Sequence, residues 1–327
     1  MKAVTFDPHS DTFALSNIEI PKLQYETDVL LKTHACGLNP VDAKIHLWKA
    51  MVNDMSAQWV PGLDVVGEVV DVGSKVDKFK AGDMVLCHGN MLRAYGGFAE
   101  YCIQDSEVLL PLPAVDVAIA AATPCAGWTA WRALVDKLNV ADRNSVLITG
   151  GAGGVGSFAV QLARYFQLDT IIATCLAKNA AFVSQLGATD VIDYQSDDVV
   201  ARVKQITNQQ GVDIGLDTVG ADNDIIVANS LRFDGQMVEI VDVVRPDAYD
   251  NAFLMGLGFH QLSLGAGHGH GRLGKASIVF AGQQFSQLVE AGKIAVPSLA
   301  SITIEQVPTA LNDMLSQRTV GKIVMCL

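Results

Sequence analysis

A cluster of glycines follows a short apolar run near the middle of the chain. The run at 146–149 is the right length for a buried strand, and helical apolar spacing resumes through 155–166. Between them Gly151, Gly153 and Gly156 satisfy the pattern G-x-G-x-x-G. Glycine allows a tight turn and lets main-chain N–H groups approach a pyrophosphate, so this spacing predicts a dinucleotide site.

The start of the following helix belongs to the same predicted site. Gly154 and Val155 lie in its first turn, where main-chain N–H groups have no partner within the helix. The helix dipole favours negative charge at this end. A glycine-rich connection without a ligand is the alternative, and the position between a strand and a helix argues against it.

Composition narrows the class of protein. The chain has 327 residues, of which 50% are hydrophobic and 18% charged, so it can bury a large core. Its net charge of −12, without a basic run, argues against a nucleic-acid partner. Six scattered cysteines without a C-x-x-C pair indicate reduced thiols. No apolar run is long enough to span a membrane, and the first residues do not resemble a signal peptide. We therefore expect a cytoplasmic protein without a membrane partner.

Two kinds of pattern divide the chain. Residues 1–123 consist of short strands, such as 28–35 and 65–73, with frequent turns. Strands and helices then alternate, which predicts an α/β fold with a doubly wound parallel sheet at 124–267. Residues 268–327 are predicted to return to the first domain. The predicted strands are 146–149, 170–174, 190–193, 213–217 and 236–241, and the predicted helices are 155–166, 178–186, 197–208, 222–231 and 276–291.

Six motifs resemble those of one family over nearly the whole chain. They are Gly37-Leu-Asn-Pro-Val-Asp42, Pro61-Gly-Leu-Asp-Val-Val-Gly67, Gly82-Asp-Met-Val85, Gly96-Gly-Phe-Ala-Glu-Tyr101, the glycine loop and Gly321-Lys-Ile-Val324. The chain resembles the medium-chain dehydrogenase/reductase superfamily, in its zinc-free branch of quinone oxidoreductases and enone (alkenal) reductases. The resemblance implies a GroES-like substrate domain, a Rossmann domain and a homodimer.

The same comparison bears on metal binding. Asn39 stands where zinc-dependent members carry their first cysteine ligand, and Leu63-Asp64 replaces their histidine–glutamate pair. Cys125 alone falls at a ligand position. Because a catalytic zinc needs three protein ligands, we expect no metal.

The cofactor is predicted from the second Rossmann strand. Sites specific for NAD place an acidic residue at its end, and this chain has Thr174 there. Lys178 supplies positive charge nearby, although it can also be an ordinary surface lysine. The resemblance implies that Tyr194 contacts the 2′-phosphate and that the backbone at Gly265 passes close to the nicotinamide. We therefore expect NADPH.

The polar face of the Asn39–Lys44 segment supplies the predicted catalytic residues. In relatives this segment lies near the nicotinamide, so Asn39, Asp42 and Lys44 are the candidates. Asn39 can donate to a substrate oxygen, and Lys44 can protonate an enolate or instead pair with Asp42. Hydride transfer to a quinone or an enone needs chiefly orientation and hydrogen-bond donors. The sequence does not separate these two substrates.

Two further features stay open at this point. Trp48, Trp59 and Trp128 can line an apolar pocket or pack in the core. The segment from Gly265 to Arg272, with His268 and His270, is predicted to be a mobile substrate loop rather than a metal site.

Two other functions compete with the leading one. A zinc-type alcohol dehydrogenase is disfavoured by Asn39 and Leu63. The resemblance also allows a recruited, non-catalytic structural or RNA-binding protein that keeps its NADPH site, and the acidic balance opposes RNA binding.

Overall fold

The computed structural model describes residues 1–316 and 319–327, which form two compact units. The β-rich unit comprises Met1–Ala126, Gly265–Gly292 and Ser298–Leu327. The parallel-sheet unit comprises Gly127–Leu264 and Lys293–Pro297.

The strands of the described residues are numbered in chain order. They are β1 (Lys2–Asp7), β2 (Thr12–Asn17), β3 (Asp28–Leu38), β4 (Asp64–Val72), β5 (Met84–His88), β6 (Tyr101–Asp105), β7 (Leu110–Pro111), β8 (Ser145–Ile148), β9 (Thr170–Cys175), β10 (Asp190–Asp193), β11 (Val212–Asp217), β12 (Leu231–Glu239), β13 (Gly258–Gln261), β14 (Leu299–Ile302) and β15 (Lys322–Cys326).

The α-helices are numbered in the same way. They are α1 (Pro40–Ala43), α2 (Ile45–Trp48), α3 (Val117–Ala121), α4 (Thr129–Trp131), α5 (Gly154–Tyr165), α6 (Ala180–Leu186), α7 (Val199–Ile206), α8 (Asn223–Ser230), α9 (Gly271–Glu290) and α10 (Val307–Met314). π-Helical segments at Pro124–Trp128 and Arg132–Lys137 flank α4. No helix among the described residues is long and apolar enough to cross a membrane.

The β-rich unit is built on a sheet in the order β14-β15-β3-β4-β5-β7, with β6 also paired to β3. The last strand of the chain, β15, lies antiparallel to β3, so Ile323 pairs with Leu38. Apolar side chains of these strands form a core with Val307 and Leu311 of α10. The C-terminal strand thereby reaches the segment that begins at Asn39.

The parallel-sheet unit has six strands in the order β10-β9-β8-β11-β12-β13. Every neighbouring pair is parallel. All six residues of β11 are buried, as expected for a central strand covered on both faces. The predicted alternation of strands and helices is confirmed, and the Rossmann-type part of the predicted fold class with it. β13 is a strand that the sequence pattern did not predict.

The strand order of this sheet reverses between β8 and β11. Ligands of open α/β sheets bind at the carboxyl ends of the strands where such a reversal occurs. The glycine loop follows β8, and the segment Thr218–Gly220 follows β11. Both loops therefore lie at the strand-order reversal, where ligands of open α/β sheets bind.

Candidate functional site

The glycine loop joins β8 to α5 in a conformation that side chains would disturb. Gly150 has a φ of +66°, in the left-handed region that favours glycine. A Cβ atom on Gly156 would lie 2.2 Å from the carbonyl oxygen of Gly150. One on Gly151 would lie 2.8 Å from the Cβ of Ala173. The glycines therefore let α5 begin close against the loop.

The amino end of α5 provides main-chain donors. Gly153 is its N-cap residue, and its own N–H donates to the carbonyl oxygen of Gly150 at 2.9 Å. Gly154, Val155 and Gly156 form the first turn, whose N–H groups have no acceptor within the helix. This geometry fits a pyrophosphate, although the roles of individual residues stay predictions.

Thr174 lies beside this loop and is buried. Its Oγ1 accepts a hydrogen bond of 3.1 Å from the N–H of Gly150, and its carbonyl oxygen accepts one of 2.8 Å from Gly151. In the sequence, Thr174 stands where an NAD-specific site would carry a carboxylate. In the structure, the same residue connects β9 to the glycine loop through two hydrogen bonds. No sequence signal indicated this contact.

Lys178 and Tyr194 follow the carboxyl ends of adjacent strands. Cys175 at the end of β9 is in register with Asp193 at the end of β10. Lys178 comes three residues after the first strand, and Tyr194 directly after the second. Both side chains are exposed. The sheet thus brings the two predicted 2′-phosphate contacts to one edge.

A buried polar cluster occupies the β-rich unit, centred on Asp64 at the start of β4. Asp64 Oδ1 accepts from the N–H of Cys125 at 2.9 Å and lies 3.0 Å from Nδ1 of His88. Its Oδ2 accepts from Asn39 Nδ2 at 2.9 Å, and Lys322 Nζ lies 3.9 Å away. Asp64 is fully buried, so these partners supply the charge compensation and hydrogen bonds that water cannot.

Asn39 is held from both sides of its side-chain amide. Nδ2 donates to Asp64, and Oδ1 accepts from Lys322 Nζ. Only 2% of Asn39 is exposed. In this arrangement the amide bridges a buried carboxylate and a buried ammonium group, and its predicted donation to a substrate is untested.

Asp42 is the third residue of α1, where it completes a capping box with Asn39, and it is also buried. Its Oδ2 accepts from the N–H of Asn39 at 2.9 Å. Burial, with the nearby charge of Asp64, raises the pKa of Asp42 to about 8. Below that pH the carboxyl carries a proton and can donate a hydrogen bond.

Lys44 follows α1 and is half-buried. Among the described residues its Nζ has no hydrogen-bond or ion-pair partner, so the alternative that it pairs with Asp42 is wrong for this structure. Its role toward a substrate stays a prediction.

A cavity of about 340 Å³ lies within the β-rich unit. Trp48 and Trp59 line it with apolar surface, and Asp42 also lines it. Trp128 belongs to the parallel-sheet unit, where it is fully buried. Aromatic side chains combined with placed polar groups are typical of sites for small ligands.

The histidine segment lies beside this cavity. Gly265–Gly269 forms a 3₁₀ helix in which His268 is buried and lines the cavity wall. Burial, together with the nearby His88, lowers the pKa of His268 to about 4, so its imidazole is neutral near pH 7. The mobile role predicted for the segment and the nicotinamide contact of Gly265 stay predictions.

Within residues 1–316 and 319–327, no three side chains of histidine, cysteine, aspartate or glutamate lie where they could hold a metal ion together. Asn39 and Asp64 instead hydrogen-bond directly to each other at 2.9 Å.

Two family models match the chain. The alcohol dehydrogenase GroES-like domain matches residues 25–114, and the zinc-binding dehydrogenase domain matches residues 186–325. The first falls in the β-rich unit, and the second spans the latter part of the Rossmann sheet and the C-terminal strand. The chain belongs to the medium-chain dehydrogenase/reductase superfamily. The GroES-like part of the predicted fold class is thereby confirmed.

Two curated relatives come from Arabidopsis thaliana. The chloroplast envelope quinone oxidoreductase homolog is 38% identical over 192 residues, which are 56% of this chain and 57% of that protein. The chloroplastic NADPH-dependent alkenal/one oxidoreductase is 36% identical over 209 residues, 61% of this chain and 54% of that protein. The matched part is thus a little over half the length of these relatives.

A solved structure matches the whole chain. The quinone oxidoreductase from Coxiella burnetii is 27% identical, with a TM-score of 0.84 over 100% of this chain and 99% of that one. The similarity therefore includes both units.

Proposed function

We propose that this protein is an NADPH-dependent oxidoreductase that reduces a quinone or an α,β-unsaturated carbonyl compound without a metal. The observation that carries the proposal is the glycine loop and α5 at the strand-order reversal of a Rossmann sheet. Its matched relatives include a quinone oxidoreductase homolog and an NADPH-dependent alkenal/one oxidoreductase.

Three residues support NADPH over NADH. No carboxylate stands at Thr174, where it would bind a ribose 2′-hydroxyl and repel a 2′-phosphate. Lys178 and Tyr194 offer an ammonium group and a hydroxyl at the adjacent strand ends. An exposed ammonium group can form a charge-assisted hydrogen bond to a phosphate.

The cavity of the β-rich unit supports a small, planar, uncharged acceptor. Trp48 and Trp59 provide flat apolar surface, and His268 is neutral. Charged cavity residues are paired: Arg93 Nη2 lies 2.9 Å from Asp28, and Lys275 Nζ lies 2.6 Å from Asp105. A quinone or an enone meets these conditions, and the two stay unseparated.

The proposed reaction requires this chain's residues to orient the acceptor and to supply a proton. The bound dihydronicotinamide supplies the hydride. The residues must orient the acceptor and deliver one proton to the oxygen or carbon that has gained the electron pair. Asp42, protonated below pH of about 8, is one proton donor at the cavity wall. Lys44, whose ammonium group is unpaired among the described residues, is the other.

The test is NADPH oxidation followed at the nicotinamide absorbance band, with 1,4-benzoquinone and a 2-alkenal as separate acceptors and NADH run beside each. We expect turnover of one acceptor or both, faster with NADPH. Equal rates with NADH would contradict the roles of Lys178 and Tyr194. Tight NADPH binding without turnover of either acceptor would favour the non-catalytic alternative.

Metal content and assembly need separate measurements. One zinc per chain in the active protein would revive the alcohol dehydrogenase alternative. The homodimer and the cytoplasmic location stay predictions, the first to be checked by light scattering on the purified protein.

A further inference from the structure

Two buried carboxyl groups meet where β11 and β12 end. Asp217 is the last residue of β11, Glu239 is the last residue of β12, and the two are register partners. Both are fully buried, and as register partners on neighbouring parallel strands they lie side by side. Neither residue belongs to one of the sequence motifs named above.

Asp217 uses one of its oxygens to hold the loop after β11. Its Oδ1 accepts from the hydroxyl of Thr149 at 2.6 Å, from Val219 N at 2.9 Å and from Gly220 N at 3.3 Å. Thr149 directly follows β8. One carboxylate oxygen therefore joins the ends of the two strands between which the sheet order reverses.

Glu239 uses one oxygen in the same way on the next loop. Its Oε1 accepts from Val241 N at 2.7 Å and from Asp242 N at 2.8 Å. The remaining oxygens, Asp217 Oδ2 and Glu239 Oε2, have no donor among the described residues. Two ionised carboxylates side by side in a buried site would repel each other, whereas one proton between them satisfies both oxygens.

The pKa of Glu239 is shifted in the direction that this geometry requires. Burial is the largest cause that raises its pKa, and the contact with Asp217 adds to it, giving a value of about 8. The proton is therefore present near neutral pH and is lost in mildly alkaline solution.

Other charged or titratable groups lie on the segments next to the pair. Asp242 Oδ2 accepts from Ala221 N at 2.8 Å, and Arg245 pairs with Asp222 and Asp224 beyond it. On β13, Gln261 is the register partner of Glu239, and the preceding residue is His260. Burial lowers the pKa of His260, so it is already neutral where Glu239 titrates. On the β8 side the contact comes from Thr149, which does not titrate.

The loop that Asp217 holds packs against the glycine loop. Thr218 Oγ1 donates to the carbonyl oxygen of Thr149 at 2.7 Å. A Cβ atom on Gly150 would lie 2.7 Å from Thr218 Oγ1 and 2.9 Å from Val219 Cγ2. Movement of the loop after β11 would therefore move atoms in contact with the predicted pyrophosphate site.

We propose that Asp217 and Glu239 share one proton that holds the loops after β11 and β12 in place, so that loss of this proton weakens NADPH binding. The pair is a positioning device, and its consequence for NADPH rests on the proposed function. Because linkage is reciprocal, bound NADPH in turn favours the protonated pair.

The shared proton is tested first, in the protein without cofactor. Infrared spectra at about pH 6.5 and pH 9.5 should show a protonated carboxyl carbonyl band that disappears at the higher pH. The band should be absent from E239Q, whose amide N–H can donate permanently to Asp217. Asp42 also titrates near pH 8, so the spectra are recorded in an Asp42→Asn background.

The effect on the cofactor is tested by measuring NADPH binding to the full chain at several pH values. NADPH dissociation constants are measured by nicotinamide fluorescence for the wild type, E239Q and D234N over the same pH range. Asp234 is an exposed carboxyl on the same strand, with a φ of +60° that asparagine tolerates, so D234N is the matched control. We expect about a five- to tenfold loss of affinity at pH 9.5 in the wild type and D234N. The E239Q variant should change by less than about twofold over this range.

Three outcomes would overturn the proposal. They are absence of the carboxyl band, a band that persists in E239Q, and equal pH profiles for the wild type and E239Q. Failure to bind NADPH at any pH would overturn the proposed function and the cofactor consequence together. The infrared result would still decide whether the two carboxyls share a proton, so the two failures are distinguishable.

Discussion

Thr174 Oγ1 accepts a hydrogen bond of 3.1 Å from the main-chain N–H of Gly150. This contact joins the end of β9 to the first glycine after β8, and Thr174 is buried there. Thr174 stands at a position where an NAD-specific site would carry an acidic residue. Threonine places no negative charge there, and its hydroxyl holds the glycine loop in place.

Replacing Thr174 by valine should separate these two effects. Valine has nearly the same shape but leaves the Gly150 N–H without an acceptor, at a cost of about 1–3 kcal/mol in the free energy of unfolding. NADPH affinity should fall about tenfold, measured by fluorescence titration. The Thr174→Ser control keeps the hydroxyl and should bind NADPH close to the wild-type level. Equal affinity of the valine and serine variants would contradict a role for the hydroxyl.

Lys178→Ala tests the choice between the two nicotinamide cofactors. A hydrogen bond to a charged group contributes about 1.5–3 kcal/mol, so NADPH affinity should fall about tenfold or more while NADH affinity stays the same. Lys204 is an exposed lysine on α7 of the same unit, and Lys204→Ala is the matched control. A parallel loss of NADPH and NADH affinity would instead indicate a structural role for Lys178.

The raised pKa of Asp42 predicts that both the free energy of unfolding and the turnover rate depend on pH. Its pKa is raised by burial from 3.8 to about 8, so the folded state binds a proton more tightly than the unfolded state. Its contribution to stability is therefore full below pH of about 4 and is lost as pH rises to about 8, at up to about 1.4 kcal/mol per pH unit. Glu239 acts with the same sign over a similar window.

The Asp42→Asn variant isolates this contribution, because its amide oxygen can still accept from the N–H of Asn39. Urea unfolding at several pH values between about 5 and 8 should show a shallower loss of stability than in the wild type. If Asp42 is the proton donor, turnover by the wild type should decline as pH rises through about 8, and turnover by the Asp42→Asn variant should not show this decline. An unchanged pH profile of turnover would leave Lys44 as the donor.

Lys322→Met tests the buried cluster. Removing the ammonium group leaves Asn39 Oδ1 without its donor and takes a positive charge away from the buried carboxylate of Asp64, which typically costs about 3–5 kcal/mol. Lys32 is an exposed lysine on β3 of the same sheet, and Lys32→Met should change the free energy of unfolding by less than about 0.5 kcal/mol. Similar values for the two variants in urea unfolding would show that the cluster contributes nothing specific.

The parts of this protein that could be predicted from the sequence depend on residues close together in the chain. The glycine loop needs particular residues within a few positions, because the turn and the start of α5 are local structures. The strands of the Rossmann sheet were predicted because buried apolar runs alternate with helical patterns. β13 was missed, since its four residues, Gly-Phe-His-Gln, carry little apolar signal.

The polar clusters were not predictable in the same way. Lys322 lies 283 residues after Asn39, and Glu239 lies 22 residues after Asp217 on a neighbouring strand. Neither spacing matches a motif, because each contact follows from strand order and register. The sequence by itself determined the fold class and the cofactor loop, through local geometry. Only the tertiary structure decided which buried charges meet. Once these groups are buried, water no longer solvates them, so each of them needs a partner that the fold brings close.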